Sequence, residues 1–472
     1  MVLYKNLNSA LYLTPKLLYI VVNMEYFAFY SFRHPFLMSK KVSSTMIVVT
    51  FALMQFITFF SNIGMALLAD NIQRPKAVLV ACLILAACSF QLMFLPGPAI
   101  LCCAYFILYS TFIYSTVPLL DRIILDYLQR KNAPSSLYGK QRMFGTFTYF
   151  VTNYITEALV YSSAATDEEN FGRLQPLYVF YAILAAGLVF LLAPVDRVRA
   201  TTAQERDPPQ IGRVLKNKAY LFFLFIILLN GVTRGMMTVF LTSYYKKILN
   251  FNDLSVPSSV PKYVQPLVSV FYKNPVSTCN TFGVILEIAI FFMSQPLLRT
   301  FGLYWAFLIS QVAQCARFLF YSKLSPSYAY RFEAACGIEL LKGVNFGFTH
   351  LSAVQLAVLL VPSNLKTTSQ MIYAGTFVCL GGMFGSLIGF LYKIDTADGS
   401  YSMFISGAAL SLIAVLLIVV KYGVVDRRLW GADTRIPEAP KSEPSSKQAS
   451  SSDLSAQPPN NGFSQKEKKI EV

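Results

Sequence analysis

Apolar residues run along this chain in long blocks separated by short hydrophilic connections. Blocks long enough to cross about 30 Å of hydrocarbon as helices lie at 10–32, 43–68, 76–95, 99–125, 143–163 and 176–194. A second set lies at 219–245, 277–298, 303–321, 330–361, 367–392 and 402–424. The pattern predicts an all-α membrane protein with twelve transmembrane helices in two six-helix halves. Between the halves the chain is charged and carries Asp207-Pro208-Pro209, which breaks regular structure. The organisation expected is an N-terminal half at 1–194, a cytoplasmic linker at 195–217, a C-terminal half at 218–425 and a tail at 426–472. Ser, Pro, Lys and Gln dominate the tail, too apolar-poor for a core, so it is expected to be disordered. Its end, Ile470-Glu471-Val472, is read first as a bare disordered terminus, with addition of a strand to a cytoplasmic partner as the alternative. The proline-bearing stretch 251–274 reads as a flexible connection on the opposite side of the membrane.

Composition agrees with the pattern. The 472 residues are 55% hydrophobic and 14% charged, outside the range of soluble globular domains. A net charge of +16 would suit nucleic acid, but the basic residues are scattered among short connections. Arg74, Lys76, Arg130, Lys131, Lys140 and the Arg and Lys residues of 197–216 fall on the side of the N-terminus. The positive-inside rule then puts both termini in the cytoplasm, with the plasma membrane as the expected location. Eight cysteines without metal-ligand spacing read as buried free thiols. Only His34 and His350 are present, which argues against a multi-histidine metal centre. No nucleophile–base pattern appears, so neither a cofactor, a metal nor an enzymatic activity is expected.

The chemistry concentrates in Tyr138–Tyr149, at the mouth of the fifth block. Arg142, Thr146 and Tyr149 stand at i, i+4 and i+7, so a helix puts a cation, a hydroxyl and a ring on one face. An arginine at that depth needs a partner or a polar cavity. Glu25, Asp121, Glu157, Arg234, Glu287, Arg317, Glu339 and Lys342 also fall inside predicted spans, and most are expected at the interface of the halves, with a structural ion pair or a side chain reaching to the membrane surface as the alternative for any one. Asp121 can meet Arg142 from the neighbouring helix. Glu339 and Lys342, at i and i+3, can neutralise one another, as can Arg122 and Asp126 at i and i+4. Glu287, alone among apolar residues, is the leading proton acceptor, with Glu25, Asp121 and Glu339 as further candidates. Gly381, Gly385 and Gly389 recur every fourth residue, a spacing that lets two helices approach closely.

At the end of the second block, Gly64-Met-Ala-Leu-Leu-Ala-Asp70-Asn-Ile-Gln-Arg74-Pro-Lys76 resembles the loop between helices two and three of the major facilitator superfamily. The resemblance implies a gating role for Asp70 and Arg74; the usual glycine before the arginine is Gln73 here. Tyr138-Gly-Lys-Gln-Arg142-Met-Phe-Gly-Thr146 is similar to helix five of the branch containing lactose permease, nucleoside:proton symporters and phenylpropionate permeases. Gly283-Val-Ile-Leu-Glu287 and Leu341-Lys-Gly-Val-Asn345-Phe346-Gly-Phe348 resemble helices eight and ten of that branch. Together these imply a monomeric carrier that moves a small polar solute, nucleoside or sugar-like, with protons and by alternating access. Arg142, Thr146, Tyr149, Glu287 and Phe346 would bind the solute. Where lactose permease has a histidine and a glutamate on helix ten, this chain has Asn345 and Phe348, so the lactose-type relay is not implied. Two alternatives remain: an organic-anion carrier using Arg142, Arg234 and Arg317, and a non-transporting sensor or scaffold on the same fold.

Overall fold

The computed structural model describes residues 12–131, 137–161, 167–194, 216–251, 254–257, 260–361, 366–392 and 396–429. Most of the 195–217 linker and nearly all of the 426–472 tail lie outside those residues. The N-terminal elements are α1 (Leu13–Phe27), α2 (Ser44–Ile72), α3 (Pro75–Leu92), α4 (Ala99–Arg130), α5 (Leu137–Val160) and α6 (Leu174–Leu192). The C-terminal elements are α7 (Lys218–Lys247), α8 (Pro275–Phe292), α9 (Ser294–Lys323) and α10 (Arg331–Leu359). Then come α11, formed by Lys366–Gly375, a π turn Thr376–Leu380 and Gly381–Phe390, and α12, Ala397–Ile418 continued by a π turn Val419–Val425. Among the described residues nine of these are long and apolar enough to cross a membrane. The other three, α1, α5 and α10, sit where the hydrophobic pattern places them but are short or carry the charges of the site, including Arg142, Glu157, Glu339 and Lys342.

Side chains such as Ile183, Phe190, Leu191, Ile100 and Leu391 point outward and are exposed, an apolar surface that suits lipid and not water. The chain is an integral, multi-pass membrane protein. Within the first six helices, α1 packs on α4, α5 and α6, and α4 on α2 and α3; within the second six, α10 packs on α8 and α9, and α7 on α11 and α12. The two sets meet along α2–α11 and α5–α8.

Glycine sets two of the contacts. A Cβ on Gly235 would lie 2.8 Å from the Gly382 Cα, and one on Gly385 would lie 2.5 Å from the Val232 carbonyl oxygen, so α7 and α11 touch backbone to backbone. The expected glycine stripe of α11 is therefore a packing surface. On the other side of the half, a Cβ on Gly343 would stand 2.9 Å from both the Glu287 amide nitrogen and the Gly283 carbonyl oxygen, which draws α10 onto α8 at the level of Glu287.

Two boundaries differ from the hydrophobic pattern. The first run, 10–32, becomes α1 followed by a 3-10 turn Tyr30–Phe32 and a second short helix Arg33–Ser39. The bend puts Arg33 inside the protein, 4% exposed. In α9, Gly302 breaks the helix at φ 74°, a conformation open to glycine without penalty.

Candidate functional site

The α5 stripe is held from below by α1 and α4. Gly145 lets α1 approach so closely that a Cβ there would lie 2.8 Å from the Asn23 side-chain nitrogen. Arg142, half exposed, points a guanidinium nitrogen to 3.7 Å from Asp121 Oδ2. The Tyr19 hydroxyl donates to the other oxygen, Oδ1, at 2.6 Å. One carboxylate thus joins three helices and orients the arginine, as the sequence spacing anticipated. Thr146 follows, partly exposed. Tyr149 is nearly buried, with its ring edge-on to Phe27 at 4.8 Å and its hydroxyl 3.5 Å from Ser31 Oγ.

Glu287 faces this stripe from α8. It is 8% exposed, and Lys342, Arg142 and Arg234 all act on it electrostatically, Lys342 most strongly. The Lys342 ammonium also lies 5.6 Å from the centre of the Tyr149 ring. Residues from both halves, Arg142 and Tyr149 against Glu287 and Lys342, therefore share one locus. Phe346 lies on the same side of α10 but is stacked on His350 at 4.1 Å, with the Arg234 guanidinium 5.9 Å from its ring centre. His350 Nδ1 and the Tyr373 hydroxyl, beside it, are buried without a hydrogen-bond partner among the described residues.

Other charges are taken up elsewhere. Glu339 does not pair with Lys342: both its oxygens accept from Arg317, at 2.7 and 3.0 Å, and Oε1 also accepts from the Tyr321 hydroxyl at 2.7 Å. Arg317 therefore does not reach the locus of Arg142 and Arg234. The reason is reach across helices: α9 brings two guanidinium nitrogens, Nε and Nη2, to the carboxylate, a multiple contact that a single ammonium one turn away on the same helix does not make. Asp126 pairs with Arg130 at 3.5 Å. Asn345 donates to the Ser310 carbonyl at 2.9 Å and to Asn230 at 3.3 Å, a neutral polar network. Glu25 is fully buried beside Tyr109 and Tyr178, and both its oxygens lack a hydrogen-bond partner among the described residues.

Glu157 joins the halves. Its two oxygens accept from the backbone amides of Val276 at 3.1 Å and Ser277 at 2.6 Å, in the first turn of α8. First-turn amides have no acceptor within their own helix, and the dipole there favours negative charge. The Tyr154 hydroxyl and Thr278 Oγ1, 2.8 Å apart, add a second tie. At the proposed gate, the Asp70 side chain lies outside the described residues; Arg74 is exposed and precedes Pro75, the first residue of α3. Gln73 adopts φ 54°, the left-handed region where glycine is at ease. All cysteines are free; Cys88 is exposed, and Cys102 and Cys315 are only half-buried, unlike the other five.

Sequence reasoning missed a small cavity. It lies between the halves, with room of about 20 Å³, and is lined by Tyr26, Arg33, Gln55, Tyr114, Arg234 and Thr238 among others. Arg234 was visible as a charge within a span. Arg33 stands after the first apolar run, where an arginine reads as an interface residue.

The sequence profile of the MFS_1 like family matches residues 16–403. No curated protein matches the chain by sequence. Among solved structures, the nucleoside transporter NupG superposes with a TM-score of 0.71 at 14% identity, covering 87% of this chain and 98% of that one. A bacterial homologue of the human lysosomal transporter Spinster, inward-facing and unoccupied, gives 0.58 at 13% identity, covering 89% and 98%. The peptide transporter POT in complex with alafosfalin gives 0.63 at 10% identity, covering 88% and 94%. At these identities the likeness is one of fold.

Proposed function

This chain belongs to the MFS_1 like family and has the major facilitator fold, and from that premise we propose that it carries a small polar solute, nucleoside or sugar-like, across a membrane together with protons by alternating access. The observation that carries the proposal is the locus where Arg142 and Tyr149 of one half meet Glu287 and Lys342 of the other. A solute seated there touches both halves, which is what a carrier needs to couple occupancy to rocking. Arg142 and Thr146 hydrogen-bond the solute, Tyr149 and Phe346 pack on its ring, and Glu287 binds solute or proton. The NupG structure is described as a nucleoside transporter, which makes nucleosides the first solutes to try. Glu25, without a hydrogen-bond partner among the described residues, is the second proton site. Asp121 and Glu339 are ranked below it because each already holds a cation. Asp70 and Arg74 gate the cytoplasmic end. The protein works as a monomer in the plasma membrane with both termini in the cytoplasm.

The test is uptake of labelled nucleosides into transport-deficient cells, comparing the unaltered chain with Arg142→Ala and Glu287→Gln. Both variants are expected to lose most uptake. Unchanged uptake in both removes the site assignment. The organic-anion alternative relied on three arginines, and Arg317 is neutralised by Glu339, so in that form it is set aside.

A further inference from the structure

Arg33 and Arg234 line the same cavity from opposite halves, and neither has a carboxylate within ion-pair distance among the described residues. Arg33 is 4% exposed. It donates to the Tyr30 carbonyl at 2.8 Å and to the Tyr114 hydroxyl, and its guanidinium lies over the Tyr30 ring at 4.2 Å. Arg234 is flanked by the rings of Phe377 at 5.3 Å and Phe346 at 5.9 Å. Aromatic faces offset part of the desolvation of a cation. They do not remove its charge. Both arginines, with Lys342, act on the Tyr30 hydroxyl electrostatically, so three cations converge on one region. Glu287 does not line the cavity; it feels Lys342 most strongly, then Arg142 and Arg234, and Glu25 lies off the cavity beside Tyr109 and Tyr178. Gln55, 8% exposed and on the cavity wall, holds its carbonyl oxygen without a hydrogen-bond partner among the described residues.

We infer that this cavity binds an anionic group, a carboxylate or a phosphate, carried by the transported solute, with Arg33 and Arg234 as its two ligands and Gln55 accepting from a hydroxyl or amine of the same solute. The inference rests on the transport reading above and departs from it in one respect: the nucleoside-like or sugar-like solute carries an acidic group. Planar guanidinium groups match such anions with paired hydrogen bonds. An anion between them joins the short helix Arg33–Ser39 to α7 and removes the repulsion between a buried and a partly buried cation that come from opposite halves. Occupancy therefore favours the arrangement in which the halves are closed on the solute, which a neutral solute cannot do at this place.

Thermal shift of the purified full chain at fixed ionic strength, against paired probes, tests this: uridine with uridine monophosphate, and glucose with glucuronate. The acidic member of at least one pair is expected to bind about tenfold or more tightly than its neutral partner, and Arg234→Gln is expected to abolish that difference. Arg33→Gln is expected to do the same, with Arg33→Lys keeping part of it. If Arg33→Gln does not fold, Arg234→Gln and Arg234→Lys decide alone. Equal binding of neutral and acidic members, or a preference that survives Arg234→Gln, overturns the inference. So does stabilisation by inorganic phosphate equal to that by uridine monophosphate, which would assign the site to a free ion. Flux of the neutral members alone in proteoliposomes overturns the anion site and leaves the transport reading standing; binding of acidic members without flux does the reverse.

Discussion

The carboxylate of Glu157 makes a prediction whose size follows from its geometry. It accepts the amides of Val276 and Ser277, while the first amide of α8 with a backbone acceptor one turn back is that of Thr278, bonded to Asn274. Protection of the first two amides from solvent exchange therefore depends on a side chain of the other half. Glu157→Gln leaves one oxygen able to accept, turns the other position into a donor that faces an N–H, and removes the charge. A hydrogen bond to a charged group contributes about 1.5–3 kcal/mol, so the loss is about 2 kcal/mol. At about 1.4 kcal/mol per tenfold, that is roughly a 30-fold change in the opening equilibrium of this contact. Hydrogen exchange followed by mass spectrometry in nanodiscs reads it directly. Peptides covering 275–280 are expected to exchange about 30-fold faster in the variant, with 283–292 unchanged. Equal protection of 275–280 in both proteins would refute the claim that Glu157 ties α5 to α8.

Other predictions concern the frame around the site. Arg317→Met or Glu339→Leu alone should destabilise the protein by about 3–5 kcal/mol, because each strands a buried charge, whereas the double variant should recover most of the loss; thermal unfolding in detergent compares them. Gly343→Ala, whose Cβ would press on the backbone of α8, should lower stability by about 1–3 kcal/mol and reduce uptake in the same cells. Gln73→Gly should raise stability by up to about 1 kcal/mol in the same unfolding assay, since it relieves a left-handed residue. Glu25→Gln should leave solute binding intact by thermal shift yet remove acceleration of uptake by an inward proton gradient; retained acceleration would exclude Glu25 from coupling.

The hydrophobic pattern alone located the helices, because the length of an apolar run is set by the membrane and is read without tertiary knowledge. It also placed the Arg142–Asp121 contact, since the periodicity of two consecutive helices leaves those residues little else to face. Pairings across elements were harder to read. Lys342 stands nearer to Glu339 in sequence than Arg317 does, but α9 and α10 pack so that the arginine reaches it first. Arg33 escaped notice because its burial depends on the bend at Tyr30–Phe32, where an apolar run of membrane length gives no sign of stopping early. Gln73 shows the converse: the departure from the family's glycine was visible in sequence, and its left-handed backbone gives the physical reason a glycine suits that place.

Transport itself is tested most directly by reconstituting the purified chain in proteoliposomes and following labelled solute against an imposed pH gradient. The account predicts saturable accumulation driven by inward protons, abolished by a protonophore and by Glu287→Gln. Solute binding of the same affinity with no protein-dependent flux in either direction would contradict it and leave a sensor on a carrier fold.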